Sequence, residues 1–146
     1  MRILLVFAPT TLFKLHTETF PPPLVLGYME KILSPHDIIS IDANNYSLMR
    51  FDRKNISGYI LDRLVQDTED IDPDLVIVSS WTYGMPFTIE YIKRIRQPSV
   101  LGGYNATSLP EQTRSLTGAD LVYSGNNLFE LKDHLYKKGI IKQSSP

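Results

Sequence analysis

Short, wholly apolar runs set between helix-length stretches constrain this chain most. Residues 3–7 read Ile-Leu-Leu-Val-Phe and residues 75–78 read Leu-Val-Ile-Val, with no polar residue on either alternating set. A strand of that composition is buried on both faces, as in the interior of a parallel sheet. Further strands are expected at 38–41, 99–101 and 120–123. Between them the spacing predicts helices at 24–33, 56–65, 86–95, 109–116 and 128–136. Pro21, Pro22 and Pro23 suit the start of the first helix, and Pro35 ends it. Leu24, Tyr28 and Ile32 are expected on its inward face. Ile89, Ile92 and Ile95 are expected to point inward from the third helix, and Lys137, Lys138 and Gly139 close the last one.

Strands alternating with helices imply a three-layer α/β domain, flavodoxin-like (Rossmann-like), with a five-stranded parallel sheet in the order 2-1-3-4-5. A chain of 146 residues is most simply one domain. Its expected extent is residues 1–138, followed by a short polar tail at 139–146, of which 142–146 are expected to fray.

Composition removes several function classes. There is no cysteine, so this chain carries no disulfide, zinc-thiolate site or cysteine-ligated iron–sulfur cluster of its own. A net charge of -1 supplies no basic face for nucleic acid. The apolar run at the amino terminus stops too early for a signal-peptide core, and no run reaches transmembrane length. A cytoplasmic location, with no membrane partner, is the default expectation.

Open α/β sheets bind ligands beyond the carboxyl ends of their strands. There the fourth strand runs into Gly102 and Gly103, where missing Cβ atoms allow positive φ and close approach to the main chain. Three loops should meet at this edge, at 8–20, 80–85 and 102–108, with 124–127 beside them. They are rich in Thr, Ser, Gly and Asn, and they carry Trp81, Tyr83 and Tyr104. Small hydrogen-bonding groups with a few rings suit a large organic ligand. Individually such residues more often cap helices, so the weight lies in their convergence. His16, in the first loop, is a candidate metal ligand or a solvated surface residue. Asp42 stands where a dinucleotide fold holds a ribose, yet the first turn lacks G-x-G-x-x-G. Asp70, Asp72 and Asp74 lack the glycine and terminal glutamate of a calcium loop and read as a solvated turn.

Several segments taken in order carry a resemblance. They are Pro22-Pro23-Leu24-Val25-Leu26-Gly27-Tyr28-Met29, Ile41-Asp42-Ala43, Pro73-Asp74-Leu75-Val76-Ile77-Val78-Ser79, Leu101-Gly102-Gly103-Tyr104-Asn105-Ala106-Thr107-Ser108-Leu109-Pro110-Glu111, and Ala119-Asp120-Leu121-Val122-Tyr123-Ser124-Gly125. The set resembles the cobalamin (B12)-binding domain at the amino terminus of cobalamin-dependent radical S-adenosylmethionine (SAM) enzymes, over residues 1–136.

That resemblance implies a corrin ring over the carboxyl edge and a nucleotide tail in a groove beside the third and fourth strands. Ser79, Ser80 and Thr82 would hydrogen-bond the tail, and Gly102 and Gly103 would make room for it. The loop with Thr10, Thr11 and His16 would face the ring's lower side, His16 as the cobalt ligand. Tyr104, Asn105, Gly125 and Asn126 complete the implied cofactor-binding set.

Three departures qualify it. The radical domain that normally follows is not within these residues, and with no cysteine to bind its cluster this chain alone is not expected to perform radical chemistry. D-x-H-x-x-G is reduced to His16, with Lys14 and Thr19 in place of Asp and Gly. Gly125-Asn126-Asn127 stands where relatives often carry Gly-Glu-Gly-Glu, facing the next domain. The expected function is a stand-alone cobalamin-binding protein, not catalytic alone, that presents a corrinoid to a separately encoded methyltransferase or radical SAM partner. The alternative is a degenerate domain acting as a protein-interaction subunit without cofactor, with Trp81, Tyr83 and Phe87 as anchors. A flavin or other nucleotide carrier is a third reading, without a phosphate loop to support it.

Overall fold

The computed structural model describes residues 1–9, 23–49 and 56–142. Among these residues the elements follow in the order β1 Arg2–Phe7, α1 Leu24–Leu33, β2 Asp37–Asp42, a 3₁₀ segment Ala43–Met49, α2 Ile56–Ile71, β3 Leu75–Ser80, a 3₁₀ turn Thr82–Gly84, α3 Met85–Arg94, β4 Ser99–Gly103, α4 Tyr104–Ser108, α5 Pro110–Thr117, β5 Leu121–Val122 and α6 Leu128–Lys137. The strands form one parallel sheet in the order β2-β1-β3-β4-β5, the flavodoxin-like arrangement. Among the described residues no helix is long and apolar enough to cross a membrane.

Both faces of the sheet are covered, which is why its inner strands are apolar throughout. Leu4, Val6, Val76, Val78 and Leu101 pack on one side with Ile60 and Leu64 of α2 and Phe87, Tyr91 and Ile92 of α3. Ile3, Leu5, Leu75, Ile77 and Val100 pack on the other with Leu26, Met29 and Leu33 of α1 and Leu131 and Leu135 of α6. Each such side chain contributes about 2 kcal/mol of transfer free energy.

Several elements differ from expectation. Helix α2 runs on through Ile71, because Thr68 turns its hydroxyl onto the Leu64 carbonyl and meets Tyr91 in the core. Strand β4 continues through both glycines, which pair with Ser79 and Ser80. The helix expected at 109–116 is α5, and a further short helix, α4, stands where a loop was expected at 102–108. Strand β5 keeps only Leu121 and Val122, and the Asp120 carboxylate accepts the Ser99 N–H at 2.8 Å instead. The acidic turn anchors the first strand: Asp74 accepts the Arg2 N–H at 2.7 Å, and Arg2 Nη1 donates to the Ile71 carbonyl at 3.0 Å. Packing also extends beyond 138, with Ile141 only 2% exposed.

The inward face of α1 is corrected most sharply. Leu26, Met29 and Leu33 are buried, whereas Leu24 is 74% and Tyr28 61% exposed. The helix is apolar almost all round, so spacing alone does not choose a face. The sheet takes the stripe through Leu26, and Leu24 and Tyr28 are left beside the carboxyl edge.

Candidate functional site: an uncharged groove at the carboxyl edge

Side-chain size across the sheet explains where a groove opens. On the α1/α6 face, one row of register partners is Leu5, Ile77, Val100 and Leu121, all filled with hydrocarbon. The next row toward the carboxyl edge is Phe7, Ser79 and Gly102. Tyr123 continues it, its N–H bonded to the Leu101 carbonyl. Two small residues between two rings leave a dent in the floor. Helices α1 and α6 wall it, and the result is a groove of about 610 Å³, within the usual range of organic-ligand sites.

Its lining is graded. The buried members are Met29, Ile77, Val78, Val100 and Leu131, without a polar side chain among them. Val25, Ser79, Gly102, Gly103, Tyr123, Gly125 and Leu128 are half-buried. Leu24, Tyr28, Trp81, Tyr104, Thr107, Ser108 and Asn126 stand exposed at the mouth. Among the described residues, none that lines the groove is a carboxylate, a lysine, an arginine or a histidine. The neighbouring sequence is uncharged over 75–89, 97–110 and 121–129, which spans the β3, β4 and β5 ends of the sheet.

Neutral hydrogen bonds tie these loops together. Thr82 Oγ1 donates to Asn105 Oδ1 at 2.9 Å. Thr107 Oγ1 donates to the Gly103 carbonyl at 3.0 Å and accepts the Gly125 N–H at 3.3 Å. Ser124 Oγ donates to the Thr107 carbonyl at 3.1 Å. Tyr123 donates its hydroxyl to the Asn127 carbonyl at 2.9 Å, and burial, then the Glu130 charge, raises its pKa. Asn127 caps α6, its Oδ1 accepting from Phe129 N–H at 3.0 Å and Glu130 N–H at 3.4 Å.

The two glycines have different reasons to be glycine. Gly103 has φ +111°, and a Cβ there would run into the Ser80 carbonyl oxygen. Strand geometry alone demands it. A Cβ on Gly102 would meet no atom within 4 Å, and its φ lies outside the left-handed region. It would project into the groove, so the protein's own packing does not account for the missing side chain.

The structure brings Ser79, Gly102, Gly103, Tyr104, Gly125 and Asn126 to the groove. Thr82 and Asn105 pair with each other and do not line it. Ser80 points to the opposite face, 1% exposed and bonded to Thr88 Oγ1 at 2.9 Å, which corrects its assignment as a tail ligand. Phe87 is 3% exposed and packs in the core, so it is no interface anchor, whereas Trp81 and Tyr83 are 56% and 70% exposed. Thr10, Thr11 and His16 lie outside the described residues. Among the described residues no three His, Cys, Asp or Glu side chains gather to hold a metal ion.

The walls from α1 and α6 escaped the sequence reading. The signal was present in Leu24, Val25 and Tyr28, an apolar run too wide for one buried stripe.

Asp42 turns on itself, Oδ1 accepting from the Asn44 N–H at 3.0 Å and Nδ2 at 2.8 Å. It borders a second, shallower cleft of about 420 Å³ with Glu30, Ser40 and Asn45.

Comparison with protein-family models, with curated proteins and with solved structures returns no match.

Proposed function

We propose that this chain is a corrinoid-binding module that holds cobalamin at the carboxyl edge and presents it to a separately encoded methyltransferase or radical SAM partner. The observation that carries the reading is the groove floored by Ser79 and Gly102. It is uncharged, apolar at depth, and open where a Cβ would otherwise stand. Those features suit a neutral ring entering edge-first while a larger body rests outside. In this reading the inner walls from α1, β3, β4 and α6 hold the nucleotide tail, and Ser79 offers it a hydroxyl. Tyr104 and Trp81 flank the corrin at the mouth. The bound corrinoid supplies the methyl-transfer or radical chemistry, and this chain binds, orients and shields it.

Mixing the purified chain with hydroxocobalamin and following its visible spectrum through gel filtration tests this directly. Co-elution at tens of micromolar is expected, and its absence would sink the proposal. In the nucleotide-carrier reading, a phosphate would seek helix N-terminal amides. Those of Phe129 and Glu130 at α6 are already taken by Asn127.

One observation favours a protein partner on the same edge. Leu24, Tyr28, Trp81, Tyr83, Tyr104 and Phe129 are each more than half exposed, and aromatic clusters of this kind serve as interface anchors. A pull-down that recovers a partner without added corrinoid, from a chain that fails to bind corrinoid, would establish the interaction-subunit reading instead.

A further inference from the structure

The row of the sheet that floors the groove continues past it to the edge strand. Phe7 pairs with Ser79 on one side and with Asp42 on the other, so it stands between two hollows. The second hollow is the cleft of about 420 Å³ between α1 and β2. Leu24 is the one residue that lines both. Their chemistry differs. The groove is uncharged, whereas Glu30 and Asp42 border the cleft, and among the described residues no lysine, arginine or histidine lines it.

Strand period sets one wall of the cleft. Ile39 and Ile41 pack toward α2 and α3, so Ser40 and Asp42 turn to α1. Glu30 Oε1 accepts the Ser40 hydroxyl at 2.5 Å, which ties the helix to the strand. Asp42 Oδ1 is held by Asn44. The second oxygen of each carboxylate accepts no hydrogen bond from the described residues. Leu24 and Leu26 place hydrocarbon beside these oxygens. Gly27, one turn before Glu30, borders the cleft as well. A glycine inside a helix costs stability relative to alanine. Yet a Cβ on Gly27 would meet no atom within 4 Å, and its φ is not left-handed. The packing of the fold does not ask for glycine there, and a side chain would narrow the cleft.

We infer that this cleft binds a primary ammonium group carried on an aliphatic chain. An ammonium has three N–H donors and no acceptor. The two free carboxylate oxygens and the Asn45 side chain supply acceptors, and the methylenes behind the charge lie on Leu24 and Leu26. A bare metal ion would leave most of the volume and the hydrocarbon wall unused. The inference stands apart from the corrinoid reading, because the two hollows share only Leu24. Glu30 is exposed and Asp42 half-buried, so binding is near millimolar and weakens with salt.

Backbone amide shifts of the ¹⁵N-labelled chain test this. The probes are 1,5-diaminopentane, a lysine blocked at both its α-amino and carboxyl groups, and pentyltrimethylammonium, which keeps the charge and lacks the donors. Saturable shifts at Gly27, Ser40 and Asn45 are expected with a dissociation constant of about 1 mM, and at least about tenfold weaker binding of the trimethylated probe. Binding of the diamine alone assigns a small amine, binding of the blocked lysine alone assigns a partner's side chain, and binding of both supports the shared chemistry. No saturable shift from either amine up to about 10 mM, or equal binding of the trimethylated probe, would overturn the inference.

Asp42→Asn is expected to weaken amine binding about tenfold. Gly27→Leu leaves the carboxylates and the Asn44 contact in place, suits the helix, and is expected to weaken amine binding to a similar extent by filling the cleft. Amine affinity unchanged in folded Gly27→Leu would overturn the placement.

Discussion

Gly103 lies opposite Ser80 in the parallel β3–β4 ladder, so close that a Cβ on Gly103 would overlap the Ser80 carbonyl oxygen. Its neighbour Gly102, opposite Ser79, faces open space. Two adjacent glycines therefore answer to different demands. Gly103→Ala is expected to cost about 3 kcal/mol or more, from positive φ and a backbone overlap that no rotamer relieves. Gly102→Ala is expected to be neutral or to stabilise by about 0.5–1 kcal/mol, since alanine suits a strand better than glycine. It should nonetheless weaken corrinoid binding by filling the floor. Urea melts and cobalamin titrations of the two variants check both halves. A Gly102→Ala variant that binds like the parent would place the ligand elsewhere.

Tyr91 and Thr68 meet at 2.7 Å between α2 and α3, both fully buried. The Thr68 hydroxyl also donates to the Leu64 carbonyl, which makes Tyr91 the donor in the pair. Thr68→Val strands the tyrosine hydroxyl and should cost about 1–3 kcal/mol. Adding Tyr91→Phe should restore part of that loss, and a double-mutant cycle in urea measures the coupling.

Alkaline pH should destabilise the fold through two tyrosines. Burial raises the pKa of both Tyr46 and Tyr91, and for Tyr46 the hydrogen bond to Asp67 at 2.5 Å adds to it. Unfolded tyrosine loses its proton near pH 10, while these two keep theirs in the folded chain. The unfolded state then binds fewer protons, so stability falls as pH rises above about 10. Tyr46→Phe and Tyr91→Phe should each flatten that fall, as read from urea midpoints between pH 8 and pH 11.

Acid acts through His36, between α1 and β2. Its Nε2 is buried with no hydrogen-bond partner among the described residues. Burial foremost, then the amino terminus and Lys132, lowers its pKa. The unfolded histidine takes up a proton below about pH 6.5 that the folded one resists. The contribution is present above that pH and is lost as pH falls through the folded value. His36→Gln should shrink the loss of stability between pH 7 and pH 5. An unchanged acid limb would assign it to the carboxylates.

The sheet was legible because burial on both faces leaves no room for polar residues, and residues 3–7 and 75–78 have none. Helix α2 was read short because its apolar spacing lapses after Val65, where Thr68 and Tyr91 continue the contact by a hydrogen bond that periodicity does not register. The glycine pair pointed to the right edge, yet only the register with β3 separates Gly102 from Gly103 and Ser79 from Ser80. Period two along a strand decides which of two adjacent serines meets a ligand, and the sequence offers no phase mark there. The α1 wall depended on which stripe of an apolar helix the sheet selects.

The loops at the β3, β4 and β5 ends carry no charge from 75 to 89, 97 to 110 or 121 to 129. A visitor to this edge is not drawn in from a distance, and ionic strength has little to screen. Recognition there falls to shape and to the release of water from rings. Affinity should then hold from dilute buffer to high salt, with a negative heat-capacity change as its calorimetric mark.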